Sequence, residues 1–212
     1  FDANHGIGLA HRRLSIVDLS AAGAQPMHAA SGRYVIAFNG EIYNHLEMRA
    51  DLQVQGAAPA WRGHSDTESV LAGFDAWGIE ATLQRATGMF AMAIWDRQAG
   101  ELILVRDRLG EKPLYYGWQG PGAARALLFG SELKALQAHP AFCARIDRAA
   151  LGQFMRHNYI GAPWSIYEGI YKLPPGCLVR LSLARPDAQP VPYWRVADVV
   201  QALRTDPFAG SA

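Results

Sequence analysis

Cysteine is nearly absent from this sequence: Cys143 and Cys177 are the two in 212 residues, far apart and outside any C-x-x-C spacing. That argues against a disulfide framework and a cysteine-based zinc site, and it suits a reducing cytoplasmic setting. Long apolar runs are absent too. The longest, such as 89–95, is far too short to span a bilayer, and no secretory segment opens the chain. No sign of charge dominates: the formal net charge is +1 and the Lys and Arg residues are dispersed, so neither nucleic acid nor an acidic membrane is an expected partner. The seven histidines show no H-x-x-x-H or H-E-x-x-H pairing, so no metal site is expected. Also lacking are G-x-x-x-x-G-K-[ST], G-x-G-x-x-G and G-x-S-x-G, the loops that serve phosphates, dinucleotides and a serine nucleophile.

What is present fits a globular protein with a full core, half apolar and 18% charged. Short β-like runs alternate with helices. A strand-like stretch covers 7–10, and residues 34–38 form a strand that should break in a tight turn at Asn39-Gly40. Residues 43–54 read as an amphipathic helix with Leu46, Arg49-Ala50 and Leu52 in helical spacing, ending at Gly56. Ser65 and Glu68 match the S-x-x-E capping box of a helix whose apolar face is Val70, Leu71, Phe74 and Trp77, stopped by Gly78. A short helix follows at 79–85, then strands at 89–95, 102–106, 114–118 and 126–130. Two of these strands are apolar almost throughout, as expected where a sheet is covered on both faces, which gives a layered α+β sandwich. After 141 come a helix over 147–157 with Asp147 as N-cap and a strand over 177–183.

Four clusters could carry chemistry, and each also has a plain structural reading. In His11-Arg12-Arg13-Leu14-Ser15-Ile16-Val17-Asp18 an arginine at a strand end can grip a carboxylate, or simply sit at a solvated edge. In Asn39-Gly40-Glu41-Ile42-Tyr43-Asn44 an Asn amide beside a Gly N–H can hold an oxyanion, or form an ordinary turn. In Gly63-His64-Ser65-Asp66-Thr67-Glu68, Asp66 can bind an ammonium group or serve the helix dipole. The dense charges of 106–116, followed by 129–136, fit a buried ion-pair network as well as catalysis.

Taken in order, with Gly23-Ala24-Gln25-Pro26-Met27 and Gly88-Met89-Phe90-Ala91 between them, these clusters resemble the glutaminase domain of the glutamine-hydrolysing asparagine synthetases. The resemblance covers nearly the whole chain. It implies a class II amidotransferase with the four-layer αββα sandwich of N-terminal-nucleophile hydrolases, here missing its first strand and truncated at both ends. Residues 1–140 would be the amidotransferase domain, and 141–212 its end and a linker toward an absent ATP-dependent synthetase domain. The family's nucleophile is an N-terminal Cys whose own α-amino group accepts the proton. It would lie upstream of Phe1, and neither Cys143 nor Cys177 can replace it, so this stretch alone should release no ammonia.

Carried over residue by residue, the resemblance implies that Arg13 grips the α-carboxylate of L-glutamine and that Leu14, Ser15, Ile16 and Val17 lie along the substrate. Asp66 should bind its α-ammonium with Gly40 and Glu41 nearby, and Asn39 and Gly40 should form the oxyanion hole. Residues 106–116 and 131–136 are assigned to architecture and to a face toward the synthetase domain. No cofactor is expected in this chain, while ATP and Mg belong to the synthetase domain, which would amidate aspartate. A second copy of the chain is a candidate partner. The rival readings are a scaffold that binds glutamine without hydrolysing it, and the glutaminase of a related amidotransferase with another acceptor.

Overall fold

The computed structural model describes residues 1–12 and 18–205. The chain begins with β1 (Met27–His28), β2 (Tyr34–Ile42), α1 (His45–Val54), α2 (Asp66–Trp77) and α3 (Ile79–Arg85). It continues through β3 (Gly88–Asp96), β4 (Glu101–Arg106), β5 (Tyr115–Gln119), β6 (Ala126–Gly130), α4 (Leu133–Gln137) and α5 (Arg148–His157). β7 (Tyr171–Lys172), β8 (Cys177–Leu181), β9 (Val191–Pro192) and α6 (Val196–Thr205) complete the order. The strands build two antiparallel sheets, one in the order β1-β2-β3-β4-β8-β9 and one in the order β6-β5-β7.

The period-two alternation of the central strands sends side chains to two different cores. On one face Ile36, Phe90, Met92 and Ile94 pack with Leu71 and Phe74 of α2 and Leu83 of α3. On the other, Ala93, Trp95, Leu102 and Leu104 meet Leu114, Leu127 and Phe129 from the region of the small sheet. The far face of that sheet places Leu128 and Ile170 against Leu133 and Leu136 of α4. Helix, sheet, sheet and helix layers follow in that order, which is the expected αββα arrangement. Because both faces of β3 and β4 are covered, their sequences have no polar side to show.

Local chemistry sets the element ends. Ser65 Oγ accepts from the Glu68 N–H at 3.3 Å, half of the expected capping box. The other half is missing, because the Glu68 carboxylate turns back to the N–H groups of Arg62 and Gly63. Gly78, at φ 80°, ends α2 in a conformation that favours glycine. Asp147 caps α5 by accepting from the N–H groups of Ala149 and Ala150. In α1, Met48 and Leu52 are buried while Leu46 is exposed, so the inward stripe is displaced from the Leu46 spacing read in the sequence. Residues 7–10 are not a strand: among the described residues only an isolated Asp2–Ile7 bridge forms there, although Ile7 and Leu9 still lean on the inter-sheet core. β8 joins the main sheet beside β4, with Leu181 opposite Leu102, so that sheet draws on residues well past 140. Among the described residues, no helix is long and apolar enough to cross a membrane.

The charged run at 106–116 is architectural, though not as an ion-pair network. Arg106 donates to the carbonyl oxygens of Lys112, Leu173 and Gly110 at 2.7–2.8 Å. Burial pushes its pKa down, against the pull of Asp107. The buried Asp107 carboxylate accepts from four backbone N–H groups, those of Phe90, Leu109, Glu111 and Lys112. Each charge is satisfied by backbone dipoles and fixes the loop between β4 and β5. Replacing Asp107 with Ala strands those donors, and the expected loss is about 3 kcal/mol or more. Urea denaturation should show a lower midpoint with an unchanged slope.

Candidate functional site

The site forms at the outer edge of β2. Alternate residues of a strand send their N–H groups to the same edge. Ile36 pairs toward β1, the Phe38 N–H donates to Gln25 Oε1 at 2.6 Å, and the Ile42 N–H donates to Asp66 Oδ2 at 2.9 Å. The Gly40 N–H leaves on this edge between the two, and among the described residues nothing accepts from it. One donor in the row is therefore open, flanked by two that are filled.

The strand does not turn at Asn39-Gly40, as the Asn-Gly pair led one to expect. Its register with β3 runs unbroken from Tyr34 opposite Asp96 to Ile42 opposite Gly88. Gly40 is needed for a different reason. A Cβ there would lie 2.1 Å from the Met89 carbonyl oxygen and 2.6 Å from Phe90 Cα, and φ is +156°. Gly88 is matched to it, since a Cβ there would sit 2.1 Å from the Glu41 carbonyl oxygen. Two glycines let β2 and β3 approach closely beside the open donor.

Asn39 and Glu41 share a face of β2 with Val35 and Ala37, and both line a cleft of about 1660 Å³ on the side of the second sheet. Ala37, Ala91 and Ala93 keep that wall low. Asn39 Nδ2 donates to Ser131 Oγ at 2.8 Å. Asp66 and Ser131 line the same cleft, and neither cysteine does.

Asp66 occupies the first turn of α2 and is buried. Its Oδ1 accepts from the Thr67 N–H at 2.7 Å and from Thr67 Oγ1 at 3.4 Å, while Oδ2 accepts from Ile42. A carboxylate offers about four acceptor sites, so Oδ2 retains one. His45, the first residue of α1, feels the Asp66 charge, but burial lowers its pKa by more than Asp66 raises it.

The loop ahead of α2 is tied by a second buried carboxylate. Glu68 accepts from the N–H groups of Arg62 and Gly63 and from Arg49 Nη2 at 3.4 Å. Arg49 also reaches the Gly63 and Ser65 carbonyl oxygens and lies 4.0 Å over the Trp61 ring. Burial pushes the Arg49 pKa down, against the attraction of Glu68. Asp18 adds a further tie, with Oδ2 accepting from the His64 N–H at 2.9 Å so close to Gly63 that a Cβ there would meet it at 2.3 Å.

The structure thus brings Asn39, Gly40, Glu41 and Asp66 to one cleft, while Arg13, Leu14, Ser15, Ile16 and Val17 lie outside the described residues. Sequence reading assigned Ser131 to architecture, read Glu68 as the capping-box partner of Ser65, and gave Gln25 and Asp18 no role of their own. Phe38 for Gln25 and His64 for Asp18 lie too far off in sequence for any periodicity to betray, whereas Glu68 turns back to Arg62 and Gly63 close by. Among the described residues, no three His, Cys, Asp or Glu side chains gather as a metal set would.

Residues 1–194 match the family described as glutamine amidotransferase domain. The chain is 40% identical over 187 residues to a Mycobacterium tuberculosis protein named putative asparagine synthetase (glutamine-hydrolyzing), covering 84% of this chain and 28% of that one. It is 34% identical over 207 residues to asparagine synthetase (glutamine-hydrolyzing) 3 of Bacillus subtilis, covering 96% and 32%. The chain therefore spans less than a third of these relatives' length. Its fold is similar to that of the glutamine phosphoribosylpyrophosphate amidotransferase of B. subtilis solved with ADP and GMP, with a TM-score of 0.57, 17% identity, and 87% of this chain and 34% of that one covered.

The crowding at Gly40 can be measured directly. Gly40→Ala must push β2 from β3, and the expected destabilisation is on the order of 3 kcal/mol. Chemical denaturation of the variant beside the parent checks it, and equal midpoints would contradict the close approach.

Proposed function

Because this chain belongs to the glutamine amidotransferase domain family, we propose that it is the glutaminase part of a glutamine-hydrolysing asparagine synthase. In this reading it binds L-glutamine and releases ammonia for ATP-dependent amidation of aspartate elsewhere in the polypeptide. The observation that carries the reading is the open Gly40 N–H on the edge of β2, between donors already filled by Gln25 and Asp66. A hydrolysed amide passes through a tetrahedral intermediate with charge on oxygen, and an open backbone donor in a cleft suits that charge.

The remaining roles follow from the chemistry of the substrate. A zwitterionic head needs an anion for its ammonium and a cation for its carboxylate. Asp66, with an acceptor site left on Oδ2, takes the α-ammonium, and Arg13 takes the α-carboxylate in a two-pronged pair. The segment Leu14, Ser15, Ile16 and Val17 runs along the substrate, with Glu41 beside the ammonium. The side chain sits at the donor end, where Asn39 Nδ2 and the Gly40 N–H meet the amide oxygen.

The nucleophile is the thiolate of an N-terminal Cys upstream of Phe1. It adds to the amide carbon, the intermediate collapses as the α-amino group passes its proton to the departing nitrogen, and ammonia leaves. Water then cleaves the thioester to glutamate. Neither Cys143 nor Cys177 lines the cleft, and residues 1–212 alone are expected to release no ammonia. ATP and Mg belong to the synthetase part of the polypeptide.

Kinetics on the complete polypeptide test the assignment. Asn39→Ala should lower kcat for glutamine hydrolysis on the order of 10²- to 10³-fold with a small change in KM. Asp66→Asn should act mainly on binding, raising KM on the order of tenfold or more, since a hydrogen bond to a charged group is removed. An unchanged kcat in Asn39→Ala would sink the oxyanion assignment. Asparagine formed from aspartate, ATP and glutamine tests the acceptor, and a different amide product would replace that part of the proposal.

A further inference from the structure

We propose that Ser131 is a positioning residue for the oxyanion hole, fixing the amide of Asn39 from the opposite sheet. This rests on the reading of Asn39 as an oxyanion donor given above. Asn39 belongs to β2 of the six-stranded sheet, and Ser131 directly follows β6 of the three-stranded sheet. The hydrogen bond from Asn39 Nδ2 to Ser131 Oγ, at 2.8 Å, therefore spans two layers and 92 residues of sequence. Both side chains line the cleft.

The chemistry of the amide makes its orientation matter. A carboxamide has two donor hydrogens at its nitrogen end and only acceptors at its oxygen end. Turned end for end, an asparagine would present lone pairs to a developing oxyanion and repel it. An isolated Asn amide rotates about a broad torsion that does little to choose between the two ends. A hydroxyl can meet either end of an amide; here Ser131 Oγ accepts one Nδ2 hydrogen and so restrains the carboxamide with its nitrogen on that side, leaving the second hydrogen for the cleft. The carboxamide is then oriented before substrate arrives, the condition under which a donor is most effective.

The placement of Ser131 is itself constrained. Gly130 is paired opposite Tyr115 at the end of β6, and α4 begins two residues after Ser131 with Leu136 buried beneath it. A Cβ at Gly130 would sit 3.1 Å from Leu136 Cδ1. The hydroxyl is thus carried on a short turn between two packed elements. Its contribution operates wholly through Asn39, since Ser131 is given no contact with the reacting atoms in this scheme.

A double-mutant cycle on the complete polypeptide, assayed for glutamine hydrolysis, tests the proposal. Ser131→Ala should lower kcat about five- to tenfold, the scale of one hydrogen bond, with KM for glutamine unchanged. Ser131→Thr, which keeps the hydroxyl, should restore kcat. In an Asn39→Ala background, Ser131→Ala should lower kcat no further. Thermal melts of the variants separate orientation from folding, and the expected melt of Ser131→Ala matches the parent. An unchanged kcat in Ser131→Ala, a parallel loss in the Asn39→Ala background, or a rise in KM in place of the kcat loss would overturn the proposal. If Asn39→Ala lowers kcat and Ser131→Ala does not, Ser131 alone is misassigned. If Asn39→Ala leaves kcat intact, the oxyanion reading itself fails and takes this inference with it.

Discussion

The row of backbone donors along the outer edge of β2 is the constraint on which the candidate site depends. A strand edge is a ladder of N–H groups that must each find an acceptor or face water. Here two rungs are closed by side chains from distant elements, Gln25 on Phe38 and Asp66 on Ile42. Those same bonds set where α2 and the residue 25 segment sit against the sheet. The rung between them stays open because nothing described reaches it. The fold thus leaves one donor open by filling its neighbours. Glycine at position 40 is what lets the strand run flat past Met89 and Phe90 while offering that rung.

Buried charge elsewhere follows the same logic. Glu68 and Asp107 serve groups of backbone N–H donors, and Arg106 serves a group of carbonyl oxygens. Such groups hold the loops around 61–65 and 107–112 chiefly through backbone dipoles, with Arg49 adding its charge at Glu68 and Leu173 its carbonyl at Arg106. One of them delivers Asp66 to the cleft. The other closes the corner between the two sheets.

Much of the secondary structure was legible in the sequence because its signals are local. Ser65, Gly78 and Asp147 mark helix ends through bonds or φ values confined to a few residues, and the central strands show themselves by lacking a polar face. Asn39-Gly40 misled for the opposite reason. Asn-Gly favours turns through local φ preference, whereas Gly40 answers to the approach of β3 some fifty residues away. The candidate site was legible in part. Asn39, Gly40, Glu41 and Asp66 could be named because their motifs resemble a family's, while Ser131 looked architectural. Its partner lies in another sheet, and no spacing rule links the two positions.

The insertion of β8 between β4 and β9 has a consequence for the order in which this molecule assembles. β2, β3 and β4 are successive antiparallel neighbours, joined to one another by connections that stay within the first half of the chain, and can zip together as each is made. The β4 edge then waits, with Ile103, Leu104 and Val105 ready, until Cys177–Leu181 has been synthesised and returns. Contacts so distant in sequence form slowly, and an apolar edge left open in the meantime is an aggregation hazard. During synthesis, that exposure lasts at least until residues 107–176 and β8 itself have been made. The small sheet, made from the intervening chain, can cover the Leu102 and Leu104 face of β4 before its neighbour arrives, while α2 and α3 already back the Ile103 and Val105 face.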